Sequence, residues 1–213
     1  MKRKLILFGL TLFILSLAFI CLYVDFTGES LVGNVQIRSS EASCLIDNLP
    51  FVIEKPGVYY LTKDLYVNGN GIIIEANNTL LVGRGHKIMG NGSGTGINIT
   101  KTANNVAIID CYISDFRYGI SVEQTSDQNL IAHNKIFNNY RGILFNYIPG
   151  NPTPSYDNVV KNNIIINNSV GILILRADRT RIHDNYFENV INAWDSSVYT
   201  QRWNTSYSCS DSN

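Results

Sequence analysis

The sequence predicts an all-β chain wound as a single parallel β-helix, a solenoid of coils about 23 residues long, and three observations carry that expectation. First, Gly-Ile recurs at Gly71-Ile72, Gly96-Ile97, Gly119-Ile120, Gly142-Ile143 and Gly171-Ile172, with Ala193-Trp194 as a degenerate last copy; the intervals are 25, 23, 23, 29 and 22 residues. A fixed period of this size marks a repeat architecture. Second, each copy carries two short alternating apolar runs split by polar turns, such as Gly119-Ile120-Ser121-Val122-Glu123 and Asn129 to Phe137. Such runs suit strands with one buried face and are too short for helices. Third, positions aligned on the repeat share chemistry. Eight residues before each start stand Cys111, Asn134, Asn163 and Asn185, and six before stand Ile113, Ile136, Ile165 and Phe187. Four before stand Asp115, Asn138, Asn167 and Asn189. Stacked coils roughly 4.8 Å apart put like residues above one another, the Ile as core and the Asn as amide ladders at bends.

Along the chain, the first element is Met1-Lys2-Arg3-Lys4 followed by twenty uncharged residues, Leu5 to Val24. That run is long enough to cross a bilayer as a helix, and its basic front places the N-terminus inside. An uncleaved signal-anchor is preferred over a secretory signal because the run exceeds a usual h-region and no small-x-small site follows. Cys21 lacks the small residues a lipoprotein site needs before it. Residues 25–43 read as a polar linker. Residues 44–67, with Pro56-Gly57-Val58-Tyr59-Tyr60-Leu61, read as an N-terminal cap over the first coil, since solenoid ends need covers. Coils run from about 68 to 192, interrupted by a Pro-rich surface loop, Ile148 to Ser155. Residues 193–205 close the other end, with Trp194 and Trp203 over the last apolar layer, and the polar tail 206–213 is expected to be disordered.

The balance of 17 basic and 17 acidic residues in 213 argues against an electrostatic nucleic-acid binder. The glycines of Gly83-Arg84-Gly85-His86 and Gly90 to Gly96 are turn residues; no Lys-Ser/Thr follows them, so they form no phosphate loop. Export is consistent with N-x-Ser/Thr sequons at Asn77, Asn91, Asn98, Asn168 and Asn204. It is consistent also with cysteines that could pair, Cys44 with Cys111, although spacing does not fix connectivity.

Candidate chemistry is sparse. Polysaccharide hydrolases need two carboxylates at a set separation, and Asp110, Asp115 and Glu123 are the nearest approach to such a group. The richest polar run is Arg176-Ala177-Asp178-Arg179-Thr180-Arg181-Ile182-His183-Asp184. Alternation should expose Arg176, Asp178, Arg179, Arg181 and His183 for an acidic sugar or anionic surface. No metal or other cofactor is expected: His86, His133 and His183 fall in different coils, and Met89 is isolated.

Ser43-Cys44, Pro56 to Leu65, Ile73 to Asn78, Gly83 to Ile88, Asn192 to Asp195 and Trp203-Asn204 together resemble the right-handed parallel β-helix proteins of the NosD-like periplasmic copper-binding group. Their relatives include the CASH-domain repeats and archaeal surface proteins. The resemblance covers about residues 43–205. It implies a right-handed solenoid and assigns no chemistry, because that group is defined by its scaffold. One position departs: the group usually carries Asp just before Gly-x-Gly-His, and Val82 stands there. The expectation is a non-catalytic, membrane-tethered, extracytoplasmic scaffold whose partners are the membrane and polysaccharide or envelope proteins. A small polysaccharide lyase or hydrolase, and an accessory protein for metalloenzyme maturation, are the alternatives.

Overall fold

The computed structural model describes residues 43–197 and 202–204. The apolar run Leu5–Val24 with Cys21, linker residues 25–42, Cys209 and the tail 206–213 lie outside the described residues. Among the described residues no helix is long and apolar enough to cross a membrane.

The chain winds through three parallel sheets in turn. The first sheet holds Ser43–Ile46, Gly57–Leu61, Thr79–Val82, Val106–Ile109, Leu130–Ala132, Val159–Lys161, Arg181–His183 and Arg202–Asn204. The second holds Leu65–Tyr66, Lys87–Met89, Tyr112–Ser114, Lys135–Phe137, Ile164–Ile166 and Tyr186–Glu188. The third holds Phe51–Ile53, Ile72–Ile74, Thr95–Ile99, Tyr118–Val122, Arg141–Phe145, Val170–Ile174 and Ile191–Asp195. A fourth, small sheet joins Ser155–Tyr156 to Ala177–Asp178 beside the Pro-rich loop. Strands of two to five residues fit because every coil must turn three times.

Each sheet feeds one interior column. Leu81, Ile108, Ile131, Val160 and Ile182 stack on the first. Ile88, Ile113, Ile136, Ile165 and Phe187 stack on the second. The third supplies Ile72, Ile97, Ile120, Ile143 and Ile172. All belong to one buried cluster. A β-branched side chain at most inward positions, with Leu81 and Phe187 as exceptions, fills the narrow interior and suits the pleat. The outward side of the first sheet carries a second, smaller apolar cluster that includes Leu80, Ala107, Leu130 and Val159.

The recurrent glycines are explained by close approach. A Cβ on Gly119 would lie 2.6 Å from the Gly142 carbonyl oxygen and 2.9 Å from Ile136 Cγ2, and one on Gly142 would lie 2.5 Å from the Gly171 carbonyl. No φ in the left-handed range is needed at these positions; the next coil simply occupies the space.

Amide ladders fill the bends. Asn134 Oδ1 accepts from Cys111 N (2.9 Å), Asn163 Oδ1 from Asn134 N (2.9 Å) and Asn185 Oδ1 from Asn163 N (2.9 Å). A second ladder runs Phe116 N, Asn139, Asn168, Asn189, and a third links Val106 N, Asn129 and Asn158. The expected Asp115–Asn138–Asn167–Asn189 column divides here. Asp115, Asn138 and Asn167 adopt φ of 64°, 58° and 55°, whereas Asn189 stacks inside the second ladder. The last coil is one residue shorter at that bend, so a count from Ala193 lands one place off.

Residues 44–67, expected as the N-terminal cap of the β-helix, pair their strands within the three sheets. Three further expectations are corrected. Trp194 points outward opposite Leu173 and is 54% exposed, while Ala193 takes the inward place over Ile172. Trp203 stands in register over Ile182. Cys44 and Cys111 are both free thiols. Cys44 pairs with Tyr59, which leads through Leu81 to Ile108, so three coil steps of roughly 4.8 Å separate the layers; a disulfide needs Cα atoms within about 7 Å. Finally, Asn168 is buried and its Nδ2 donates to Ile136 O, Ile166 O and Asn189 Oδ1, which leaves no room for a glycan. Asn98 Nδ2 is bonded to Glu123, whereas Asn77 and Asn91 are exposed.

Candidate functional site

A solenoid core is filled with Ile, so any chemistry must sit on its outer faces and corners. The first corner, between the first and second sheets, carries the ionisable side chains Asp64, His86, Asp110, His133 and Asp184, with Asn162 at the corner between the last two. His86 Nδ1 lies 3.4 Å from Asp64 Oδ1, which also accepts from Lys87 N at 2.9 Å. The backbone hydrogen bond from Lys87 chiefly holds Asp64 below the usual carboxylate range. Burial pushes the Asp110 carboxyl up, against the pull of His133. Burial also pushes the His133 imidazolium toward deprotonation, helped by Lys161 and opposed by Asp110. Asp110 and His133 are thus both biased toward their neutral forms. Both have left-handed φ (55° and 58°), the geometry this corner imposes on the residue that leaves the first sheet.

The three carboxylates expected as catalytic candidates are not brought together. Asp110 is on the first corner. Asp115 is on the second, between the second and third sheets, where Ser114 Oγ donates to it at 2.7 Å. Glu123 is on the third, accepting from Asn98 Nδ2 (2.8 Å) and Lys101 N (3.1 Å). Among the described residues no group of three His, Cys, Asp or Glu side chains could hold a metal ion.

The run 176–184 is also divided. Arg176, Asp178 and Arg179 sit on the third corner, and Arg181 and His183 on the outer side of the first sheet. Arg179 makes a fork to Asp157, Nε to Oδ1 and Nη2 to Oδ2, both 2.8 Å, with its guanidinium 4.9 Å over the Tyr156 ring. That contact holds Asp157 below the usual range. His183 Nδ1 meets Asp184 Oδ2 at 2.7 Å. Most of the charge here is answered within the protein, as a turn crossing between strands requires.

Two features were not expected. The outward side of the second sheet presents two columns, Lys87–Tyr112–Lys135–Ile164–Tyr186 and Tyr66–Met89–Ser114–Phe137–Ile166–Glu188. Tyr66 is 74% exposed, Tyr186 46% and Ile164 45%. Lys135 Nζ sits 5.4 Å from the Phe137 ring. The second corner carries Arg117, Tyr118, Tyr140 and Arg141, with Tyr118 in register with Arg141. Both guanidinium carbons lie 5.4 Å from the centroid of Tyr118, and that of Arg141 lies 5.4 Å from Tyr140 as well. The signal was present in the sequence: Arg117-Tyr118 and Tyr140-Arg141 each stand directly before a repeat glycine, 23 residues apart.

A solenoid of three parallel sheets with an isoleucine core, asparagine ladders and glycine corners defines a parallel β-helix protein. The chain belongs to the right handed beta helix region family, whose model matches residues 57–206. Among solved structures it is similar to an alginate lyase from Paenibacillus sp. str. FPU-7, at 17% identity and a TM-score of 0.47, over 62% of this chain and 51% of the lyase. The chain therefore aligns with about half the length of that enzyme. Comparison with curated proteins finds no match.

Proposed function

We propose that this protein is a non-catalytic β-helix of the NosD-like type, tethered to the membrane by residues 1–24 and displayed outside the cytoplasm, where it binds glycans. The observation that carries the reading is the outward side of the second sheet. Tyr66, Tyr112, Phe137 and Tyr186 offer flat apolar rings on a rigid scaffold, interleaved with Lys87 and Lys135. Sugar rings pack their C–H faces on aromatic rings and use ammonium donors for their oxygens. Coils at the sheet spacing hold these groups without the entropy loss that a loop would incur.

The test is binding of full-length protein to immobilised glycans, with the Tyr186→Ala and Phe137→Ala variants. The reading expects retention of specific glycans and loss of it in the variants; unchanged retention by both variants refutes the assigned face. Deleting residues 1–24 should move the protein out of the membrane fraction, and an unchanged fraction refutes the tether.

A second reading, a small polysaccharide-active enzyme, is favoured by Asp110 and His133, both biased toward neutrality on one corner. Such groups suit proton transfer at neutral pH. Release of unsaturated or reducing ends, abolished in Asp110→Asn, would install this reading in place of the first.

A further inference from the structure

Resting on the glycan-binding reading, we propose that the second corner is a subsite for an acidic sugar, with Arg117 and Arg141 as the anion-binding pair and Tyr118 and Tyr140 as its floor. Four observations converge on this corner. Arg117 and Tyr140 are exposed, and Tyr118 and Arg141 are half-buried, so the cluster is open to a ligand. Both guanidinium carbons approach the same Tyr118 ring at 5.4 Å. Two like charges gathered on one ring repel unless an anion shares them.

The third observation is that neither cation has an acidic partner among the described residues. Asp115, two positions from Arg117 on the same corner, instead accepts from Ser114 Oγ at 2.7 Å. The contrast with the third corner decides between sites. There Arg179 is already forked onto Asp157 at 2.8 Å through two bonds, so an incoming anion would have to displace a bound carboxylate. At the second corner the fork donors of Arg117 and Arg141 meet no acceptor among the described residues.

The fourth observation is local. The equivalent rungs on either side are Gly94-Thr95 and Ser169-Val170, so the cationic patch is confined to two coils, about 5 Å along the solenoid axis. That is the width of one pyranose ring rather than of an extended polyanion or a membrane surface. Guanidinium forks match a planar carboxylate in two-bond geometry, and a tyrosine face takes the apolar side of the ring. A uronic acid residue within a longer glycan presents both groups on one sugar. The Lys135–Phe137 pair lies on the second-sheet strand of the same coil as Arg141, where a neighbouring sugar of the chain could pack.

The experiment is titration of the full-length protein in detergent with tetragalacturonate, with galactotetraose as its neutral counterpart, and with inorganic phosphate alone. Wild type, R117Q/R141Q, R117K/R141K and R179Q are compared, with thermal melting to establish that each is folded. Tetragalacturonate should bind better than the neutral tetramer, and R117Q/R141Q should weaken it at least tenfold while sparing neutral-glycan binding. R117K/R141K should recover only part of the affinity, because ammonium keeps charge and loses the fork. R179Q should leave binding unchanged. Equal affinity of R117Q/R141Q and wild type for tetragalacturonate overturns the proposal. So does displacement of the uronate by equimolar phosphate, which would make the corner a general anion site. Binding of neutral but not acidic glycans would sink this subsite and leave the broader reading standing. Absence of binding to any glycan would sink both.

Discussion

Replacing Asn163 by alanine should be among the most damaging single changes in the β-helix, although the side chain is polar. Asn163 is 1% exposed. Its Oδ1 accepts from Asn134 N at 2.9 Å and from Asn134 Nδ2 at 3.1 Å. Its Nδ2 donates to Ile131 O (2.9 Å), Lys161 O (3.0 Å) and Asn185 Oδ1 (2.9 Å). Alanine would remove all of these together. Asn134 Nδ2 keeps its bond to Ile108 O, and Asn185 Oδ1 keeps its bond from Asn163 N. The Asn134 backbone N–H is left with no replacement partner in the packed bend, while the Ile131 carbonyl stays within the first-sheet ladder beside Val160. An orphaned buried group costs about 1–3 kcal/mol and each further lost bond about 1 kcal/mol, which puts the loss at roughly 3 kcal/mol, the upper end of the ordinary range for a point change. Asn68→Ala, on an exposed turn, serves as the control and should cost less than about 0.5 kcal/mol. Urea melts followed by far-ultraviolet circular dichroism give the comparison; solenoids unfold with nearest-neighbour coupling, so midpoints and slopes are both read. If Asn163→Ala melts with Asn68→Ala and wild type, the ladder is decorative and the reasoning fails.

Gly119→Ala should destabilise by about 3 kcal/mol, because its Cβ would meet the Gly142 carbonyl oxygen at 2.6 Å; the same melts check it, and a neutral result would mean the coils can part. Arg179→Gln should let the Asp157 carboxyl rise toward its ordinary value. Its folded pKa is held down by Arg179, so the pairing stabilises above the unfolded value of about 3.9 and is lost as pH falls through the lower folded one. Carbon-detected titration by nuclear magnetic resonance should show the upward shift, and the acid limb of the stability curve should flatten. Cys111 should resist alkylation until the protein unfolds, since burial raises its thiol well above the usual range and its Sγ bonds Ile109 O at 3.4 Å. Cys44 should react before Cys111, as mass mapping of each peptide would show.

Much of the scaffold is legible in the sequence because a solenoid repeats its physics. Ile113, Ile136, Ile165 and Phe187 could be aligned by counting, and the structure stacks them in register. The glycines before each third-sheet strand could be recognised as corners, although only the structure shows that a neighbouring carbonyl excludes their Cβ. Counting failed where a coil changes length. The shortened last turn moved Asn189 from one column to another. Trp194 was misplaced because strand phase, which decides inside from outside, shifts by one residue with Ala193 taking the core position. The surface was harder to read, since a site there depends on corner positions in two coils. Asp110, Asp115 and Glu123 are close in sequence and sit on three different corners. Arg117 and Arg141 are far apart in sequence and share one tyrosine ring.

Incubating the full-length protein with a broad set of immobilised glycans, with and without calcium, and assaying both retention and released products tests the central claim most directly. The account predicts selective retention, strongest for acidic glycans, with no new reducing or unsaturated ends. Product formation would contradict the non-catalytic reading, and absence of retention on every glycan would contradict glycan recognition while leaving the β-helix intact.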